Sequence, residues 1–330
     1  MTEPCWRRLV LDDVEPTIEE GVWRLHAQTV DQFFAEYLPD EFLHDLLQRA
    51  RTNGWRTAVE ESLSTLRPDI AEYTRDYFLE PYRADFVDAL AVTEGSSVLD
   101  LGCGWGFASQ RCLEKGACVV GTERALGRLQ YCVLRFVQQG LAERFLAIEM
   151  DANNPFPFRP NSFDVVIVSG LMEWLPITSS GSPESVQRAF LERCARVLRP
   201  GGRLYLAIEN RWWWKYFFGA RDLHRIHRFQ VLTSILPRRL ASVWSRLLTG
   251  REYRTFTYSF VEYLTWLRDL GFTTVDAVYP EPDYVQPKRR RTLCRELRLA
   301  GCDLREAVRR QHTPQMLARF GRSFMFTATK

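Results

Sequence analysis

From Tyr82 onward the hydrophobic positions fall into short apolar runs separated by stretches of helical periodicity. Ser96–Leu101, Ala117–Thr122, Arg144–Met150, Phe163–Ser169 and Arg203–Glu209 have the length and character of buried strands. Between them, Gly106–Lys115, Ala125–Gln139 and the stretch following Ser182 and Pro183 read as helices, the last with an N-cap serine and a proline at its first position. Ser259-Phe-Val-Glu262 is a capping box opening a helix that ends near Gly271. Phe272–Tyr279 and Arg322–Thr329 then supply a sixth and a seventh strand. Strand and helix alternating in this way predict an α/β, doubly wound sheet of seven strands whose first five are parallel.

Two stretches depart from that alternation. Ahead of Tyr82, Phe33, Phe34, Tyr37 and Leu38, and again Phe42, Leu43, Leu46 and Leu47, recur at helical spacing, which predicts an α-helical cap. After the fifth strand an insertion concentrates Trp212, Trp213, Trp214, Tyr216, Phe217 and Phe218 among basic residues. The expected organisation is therefore a cap over 1–80, a cofactor-binding core over 81–209, a substrate-side insertion over 210–254 and completion of the sheet over 255–330.

Composition narrows the class. Hydrophobic residues make up 46% of the 330, enough for a sizeable core. No apolar run approaches the ~18 residues that would span a bilayer, and the N-terminus lacks the layout of a signal peptide, so a cytoplasmic location is expected. The 8 cysteines include no C-x-x-C pair, which suits reduced buried thiols and neither a zinc site nor a disulfide framework. Charge is unevenly spread: from Gly201 onward there are 24 Lys+Arg against 11 Asp+Glu, whereas the preceding residues are acidic on balance. Such a basic region suits a phosphate-bearing substrate or an anionic surface, or simply a solvated exterior. Lys288-Arg-Arg-Arg291 reads as a solvated turn, and no nucleic-acid-binding motif accompanies it.

The chemistry concentrates at strand ends. Gly102-x-Gly104-x-Gly106 lies between a strand and a helix, where glycines let the backbone turn tightly and approach a ligand. A dinucleotide-binding turn would place its third glycine one position later, at Phe107. Asp100, two residues ahead of the first glycine, suits a cationic ligand, because opposite charges at short range favour each other. Glu123 ends the second strand, where a carboxylate accepts ribose hydroxyls. Asp151 ends the third, within reach of an adenine amino group. Ser169-Gly-Leu-Met-Glu173 follows the fourth, at the edge where doubly wound sheets place their ligand crevice.

Val98-Leu-Asp-Leu-Gly-Cys-Gly-Trp-Gly106, Glu123, Asp151, Phe163-Asp-Val-Val and Leu198-Arg-Pro-Gly-Gly202 resemble the successive motifs of class I S-adenosylmethionine-dependent methyltransferases. The resemblance implies S-adenosylmethionine as cofactor, held through Asp100, Gly102, Cys103, Gly104, Glu123, Arg124, Asp151, Ala152 and Ser169. The glycine loop would take the methionine portion, Glu123 the ribose, and Asp151 with Ala152 the adenine, and the closing strand Arg322–Thr329 would lie antiparallel beside the fifth. A narrower resemblance rests on Ala207-Ile-Glu-Asn-Arg211, Lys215–Ala220 with His224, Tyr258-Ser259 and Pro280–Pro287. It is to a bacterial subgroup associated with glycosyltransferases and surface-polysaccharide assembly, from which Trp212-Trp-Trp214 departs.

Methyl transfer asks mainly for alignment of the nucleophile, and for a base if the acceptor is a hydroxyl. His224, Glu173 and Glu209 are the base candidates; no metal is expected, although His224 and His227 stand three apart. Tyr73, Tyr77, Trp174, Trp213 and Tyr216 are candidates for the acceptor pocket, expected between the helical cap and the insertion. The acceptor is expected to be a small molecule or a glycan intermediate, with O-methylation favoured. Nucleic acid is not expected as a partner, the aromatic insertion suits either packing or peripheral membrane contact, and the oligomeric state is not indicated. An NAD-dependent oxidoreductase on a similar sheet and a non-catalytic S-adenosylmethionine-binding protein stay open as alternatives.

Overall fold

The computed structural model describes residues 3–25, 40–66, 68–221, 232–301, 303–310 and 315–330. They form two compact units: residues 1–167 with 197–199, and residues 168–196 with 200–330. That division cuts across the four-part organisation read from the sequence, since its first boundary falls inside the fourth strand of the alternating pattern.

The N-terminal unit opens with a hairpin, β1 (Thr17–Glu19) and β2 (Val22–Arg24). Its turn residues Glu20 and Gly21 both have positive φ, 48° and 79°, as a two-residue type I′ hairpin turn requires. The expectation of a wholly helical cap is thus corrected here. The helices follow as α1 (Asp40–Asn53), α2 (Trp55–Leu63) and α3 (Pro68–Leu79). Then come β3 (Ser97–Leu101), α4 (Phe107–Glu114), β4 (Cys118–Glu123), α5 (Leu126–Gln138), β5 (Phe145–Glu149) and β6 (Phe163–Ser169), whose first five residues belong to this unit. The strand order is β1-β2-β5-β4-β3-β6, and the pairs β2–β5, β5–β4 and β4–β3 are parallel. All five residues of β3 and of β5 are buried, and this explains their unbroken apolar runs: a parallel strand is covered on both faces.

The helical cap is fastened by one apolar cluster. Phe42, Leu46 and Ala50 of α1, Ala58, Val59 and Leu63 of α2 and Phe78 of α3 pack with Tyr131 of α5 and with Trp105 of the glycine loop. Trp105 lies 4.3 Å from Phe78 and 5.5 Å from Tyr131, centroid to centroid. The reading of all cysteines as reduced thiols is also corrected: Cys5 and Cys118 form a disulfide across 113 residues, pinning the N-terminal segment to the start of β4. Cys103, Cys112, Cys132, Cys194 and Cys294 are free and buried.

The C-terminal unit takes most of α6 (Pro183–Val197) and of β7 (Leu198–Glu209), then α7 (Arg238–Thr249), α8 (Phe260–Asp269), β8 (Thr274–Glu281), β9 (Arg289–Arg298), α9 (Leu304–Arg310), α10 (Gln315–Phe320) and β10 (Ser323–Thr329). Its strand order is β7-β10-β8-β9. The closing strand lies antiparallel beside the fifth strand of the sequence pattern, from Ser323 opposite Glu209 to Thr329 opposite Arg203. The Ser259–Glu262 capping box is present with both of its reciprocal bonds. Among the described residues ten strands form in place of the expected seven. The three additions are β1, β2 and β9, and β9 converts Arg289–Arg291 from the expected turn into an exposed strand paired with Tyr279–Glu281. No described helix is long and apolar enough to cross a membrane.

Candidate active site

The glycine loop in the N-terminal unit has the backbone that its sequence demands. Gly102, Gly104 and Gly106 have φ of 68°, 55° and 79°, in the left-handed region that side chains disfavour. Their reasons differ. A Cβ on Gly104 would meet nothing within 4 Å, so this position faces open space. A Cβ on Gly106 would stand 2.9 Å from both Cys132 Sγ and Phe136 Cζ, so this glycine lets α4 start close against α5.

Glu123, at the end of β4, is held facing the loop. Its Oε1 accepts from the backbone N–H groups of Arg124 at 2.8 Å and Ala125 at 3.2 Å, and its Oε2 from Gly104 N–H at 3.2 Å. Arg128 of α5 approaches Oε2 at 3.9 Å. A carboxylate has about four lone-pair sites, so the amides fix its orientation and leave capacity on Oε2 for a ligand hydroxyl. Asp151 accepts from Asn153 N–H at 2.8 Å and stands 3.9 Å from Arg124, with Ala152 buried beside it. The loop, Glu123 and Asp151 with Ala152 and Arg124 are thus gathered on one side of the unit. An open left-handed glycine, an oriented carboxylate and a second carboxylate one strand on form a donor set that fits an adenosine carrying a cationic tail.

Asp100 is a different kind of acid. It is fully buried at β3, and its Oδ2 accepts from Ser109 Oγ at 2.7 Å. Burial pushes its pKa from 3.8 up to about 6; the Ser109 bonds oppose that shift and the charge of Glu123 adds to it. Cys103, beside it, donates its backbone N–H to Thr122 O at 2.9 Å and so couples the loop to β4.

Of the base candidates, Glu173 and Glu209 lie in the C-terminal unit. Glu173, in the short helical turn Met172–Thr178 after β6, is completely buried, and Tyr284 Oη donates to its Oε1 at 3.3 Å. Gly170 makes room for that ring: a Cβ there would stand 2.6 Å from Tyr284 Oη. Gln187 of α6 braces the turn by donating to Met172 O at 3.1 Å and Phe256 O at 2.8 Å. Glu209, at the end of β7, is also buried, and its carbonyl accepts from Tyr263 Oη at 3.4 Å. Tyr263 is driven well above the usual phenol range by burial, and the charges of Glu173 and Glu209 both push it further. Two carboxylates and two phenols therefore form one neighbourhood. Sequence reading missed Tyr263 and Tyr284; Tyr284 stood within the Pro280–Pro287 motif, but 111 residues from Glu173.

The remaining candidates are distributed as follows. His224 lies outside the described residues, as does the side chain of Tyr73. Tyr77 belongs to the N-terminal unit and carries the Arg83 guanidinium 3.5 Å above its ring. Ser169, Trp174, Trp213 and Tyr216 belong to the C-terminal unit. Tyr216 is buried and packs edge-on against Trp213 at 5.1 Å, and Arg322 lies 5.3 Å over Trp213. No group of three or more His, Cys, Asp or Glu that could hold a metal ion occurs among the described residues.

Residues 99–206 match the family described as a methyltransferase domain. The ubiquinone biosynthesis O-methyltransferase of Pseudomonas paraeruginosa is 27% identical over 208 residues, 63% of this chain and 78% of that one. The enzyme of the same name from Pseudomonas aeruginosa is 31% identical over 141 residues, 43% of this chain and 56% of that one, so the chain spans little more than half of its length. Among solved structures, a SAM-dependent methyltransferase from Aquifex aeolicus aligns at 16% identity with a TM-score of 0.43, covering 82% of this chain and 97% of that chain. Haemonchus contortus phosphoethanolamine N-methyltransferase 2, in complex with S-adenosyl-L-methionine, aligns at 17% identity with a TM-score of 0.47, covering 86% and 59%.

Proposed function

We propose that this chain is an S-adenosylmethionine-dependent methyltransferase that transfers a methyl group to a hydroxyl oxygen of a small organic acceptor. The observation that carries the reading is the glycine loop with Glu123 fixed beside its open position at Gly104, within the segment that matches a methyltransferase domain. Oxygen as the accepting atom is supported by the O-methyltransferases to which the chain is similar.

The cofactor supplies an already activated methyl group on a sulfonium. The protein's residues have the remaining work. Gly102 and Gly104 present backbone to the methionine portion, Glu123 takes the ribose hydroxyls, and Asp151 with Ala152 takes the adenine. Asp100, once ionised, favours the cationic end of the cofactor. On the acceptor side we assign Glu173 as the base, with Tyr284 and Gln187 as positioning residues. Held by the loop, Glu123 and Asp151, the cofactor would supply its methyl group to the acceptor oxygen. The hydroxyl proton passes to the Glu173 carboxylate. Glu209 and His224 are the other base candidates. The narrower resemblance to polysaccharide-associated methyltransferases would make the acceptor a saccharide hydroxyl.

The test is incubation of the purified chain with S-adenosylmethionine labelled in its methyl group, against phenolic, catecholic and saccharide acceptors. Mass spectrometry then locates the label. Label on oxygen, reduced in Glu173→Gln while cofactor affinity by calorimetry is unchanged, supports the reading. Label on nitrogen or carbon, or cofactor binding without turnover on any acceptor, overturns it.

A further inference from the structure

Helix α7 reverses the arrangement that its sequence would ordinarily produce. The residues it buries are small, Ala241 and Ser245. The large ones point outward: Leu240, Val243, Trp244 and Leu247 are 55%, 51%, 40% and 76% exposed. These four follow the i, i+3, i+4, i+7 spacing and so form one continuous apolar stripe along the helix. Arg239 and Arg246 are exposed on the adjoining flank, and Arg251 is exposed just past the Gly250 cap. Arg246 pairs with Glu252.

A second apolar cluster lies on the turn Trp214–Phe218. Trp214, Phe217 and Phe218 are exposed there, and Met316 of α10 is exposed nearby in sequence to Phe320, which touches Phe217. Lys215 sits 5.5 Å from the rings of both Trp213 and Trp214, and Arg319 stands over Phe320. The two clusters are tied together, because Arg211 at the base of the turn donates to Leu236 O at 3.1 Å, just ahead of α7.

We propose that α7, with the adjoining aromatic turn, is a docking surface for an anionic lipid bilayer, the helix lying flat among the headgroups. An apolar stripe of Leu, Val and Trp bordered by arginines is the pattern of an interfacial helix. Tryptophan and arginine both suit the boundary between acyl chains and headgroups. The 12 residues of α7, at about 1.5 Å each, are too few to cross about 30 Å of hydrocarbon, so the helix can only lie in the surface. Charge selects the occupant. Residues 238–254 hold five arginines and one acid, Glu252, and the chain from Gly201 carries 24 Lys+Arg against 11 Asp+Glu. A second copy pairing about a twofold axis would bring arginines against arginines, whereas anionic headgroups neutralise them.

The test uses the full chain and sedimentation with vesicles of phosphatidylcholine alone, or of phosphatidylcholine mixed equally with phosphatidylglycerol. The chain pellets with the mixed vesicles, stays in solution with phosphatidylcholine alone, and is released from the mixed vesicles by high salt. Leu240→Glu/Leu247→Glu lowers the affinity for mixed vesicles by at least about tenfold, the equivalent of ~1.4 kcal/mol. Leu240→Ser/Leu247→Ser, a milder change at the same exposed sites, lowers it in the same direction. Arg239→Glu/Arg246→Glu abolishes the preference for the anionic mixture. Unchanged S-adenosylmethionine affinity in each variant shows that the fold is intact. The proposal is overturned if the native chain stays in solution with mixed vesicles or if the leucine variants pellet as the native chain does. It is also overturned if sedimentation equilibrium finds a dimer that those variants split, in which case a second copy covers the stripe. Membrane binding is read without any acceptor, so its failure and a failure of O-methylation are separate results.

Discussion

Replacing Asp100 with asparagine should make the protein more stable and a poorer binder of its cofactor. Asp100 is buried beneath the glycine loop with Ser109 as its hydroxyl donor, and burial lifts its pKa from 3.8 to about 6. A shift of about two units is worth roughly 3 kcal/mol at ~1.36 kcal/mol per unit. The sign follows from proton binding. Between pH 3.8 and about 6 the folded chain holds a proton that the unfolded chain has released, so stability falls as pH rises through that window and stays low above it. Asparagine mimics the protonated acid and keeps an acceptor for Ser109. Asp100→Asn should therefore gain up to about 3 kcal/mol at pH 8, roughly 6–12 °C in the midpoint of a unit of this size, and little at pH 4. Cofactor binding should move the opposite way, because it uses the charge that folding disfavours. Loss of a charge-assisted partner, about 1.5–3 kcal/mol, weakens S-adenosylmethionine roughly 10- to 150-fold. Native affinity should decline below pH 6, and affinity of the variant should not. Calorimetric unfolding and titration at pH 4, 6 and 8 read both quantities. An Asp100→Asn protein that is less stable than the native one at pH 8, or that binds the cofactor equally well, refutes the reasoning.

Three further outcomes follow from the geometry. Gly104→Ala should cost only about 1–2 kcal/mol of stability for its left-handed φ while removing cofactor affinity, whereas Gly106→Ala, with Cys132 and Phe136 at 2.9 Å, should chiefly lower the unfolding midpoint; equal behaviour of the two would contradict the assigned roles. Gly170→Ala displaces Tyr284 and should reduce turnover at least about tenfold, ~1.4 kcal/mol of barrier, with calorimetry showing the cofactor still bound. Cys5→Ser opens a link across 113 residues and should destabilise by at most about 5 kcal/mol; reductant should lower the midpoint of the native protein and leave the variant unmoved.

The central strands were readable because parallel strands covered on both faces need unbroken apolar runs, as Val98–Leu101 and Phe145–Ile148 show. Glycines and acids at strand ends were readable because backbone turning and charge leave few residue types able to serve. What escaped notice lacked such signals. β1 and β2 have three residues each, too few for periodicity. β9 ends the β7-β10-β8-β9 order and leaves all five of its arginines in solvent, burying only Leu293, Cys294 and Leu297. Charged side chains on a terminal strand discourage further pairing, and they also hide it among basic residues. The disulfide and the Tyr284–Glu173 contact join residues more than a hundred positions apart, and spacing carries no information at that range. The aromatic insertion was legible as a concentration of rings but not as a surface. Whether Trp214 is exposed or Tyr216 buried depends on a single turn, Trp214–Phe218.

The residue between the second and third loop glycines gives Trp105 a meaning that the motif alone does not. Any side chain satisfies the backbone there, yet this one enters the cluster that holds α1, α2 and α3. Its carbonyl accepts from Arg135 at 3.4 Å, a buried guanidinium stacked 4.3 Å over Trp55 of α2. Arg128, which approaches Glu123, lies 5.4 Å over the Trp105 ring itself. The glycine loop is therefore built into the packing of the cap through one ring and two arginines. A change in loop conformation at Gly104 would be felt at Phe78 and Trp55 because close-packed interiors shift in discrete steps and do not deform continuously. Common sheets acquire particular functions through elements added at their edges. In this chain the added helices are fixed to the glycine loop itself, through Trp105.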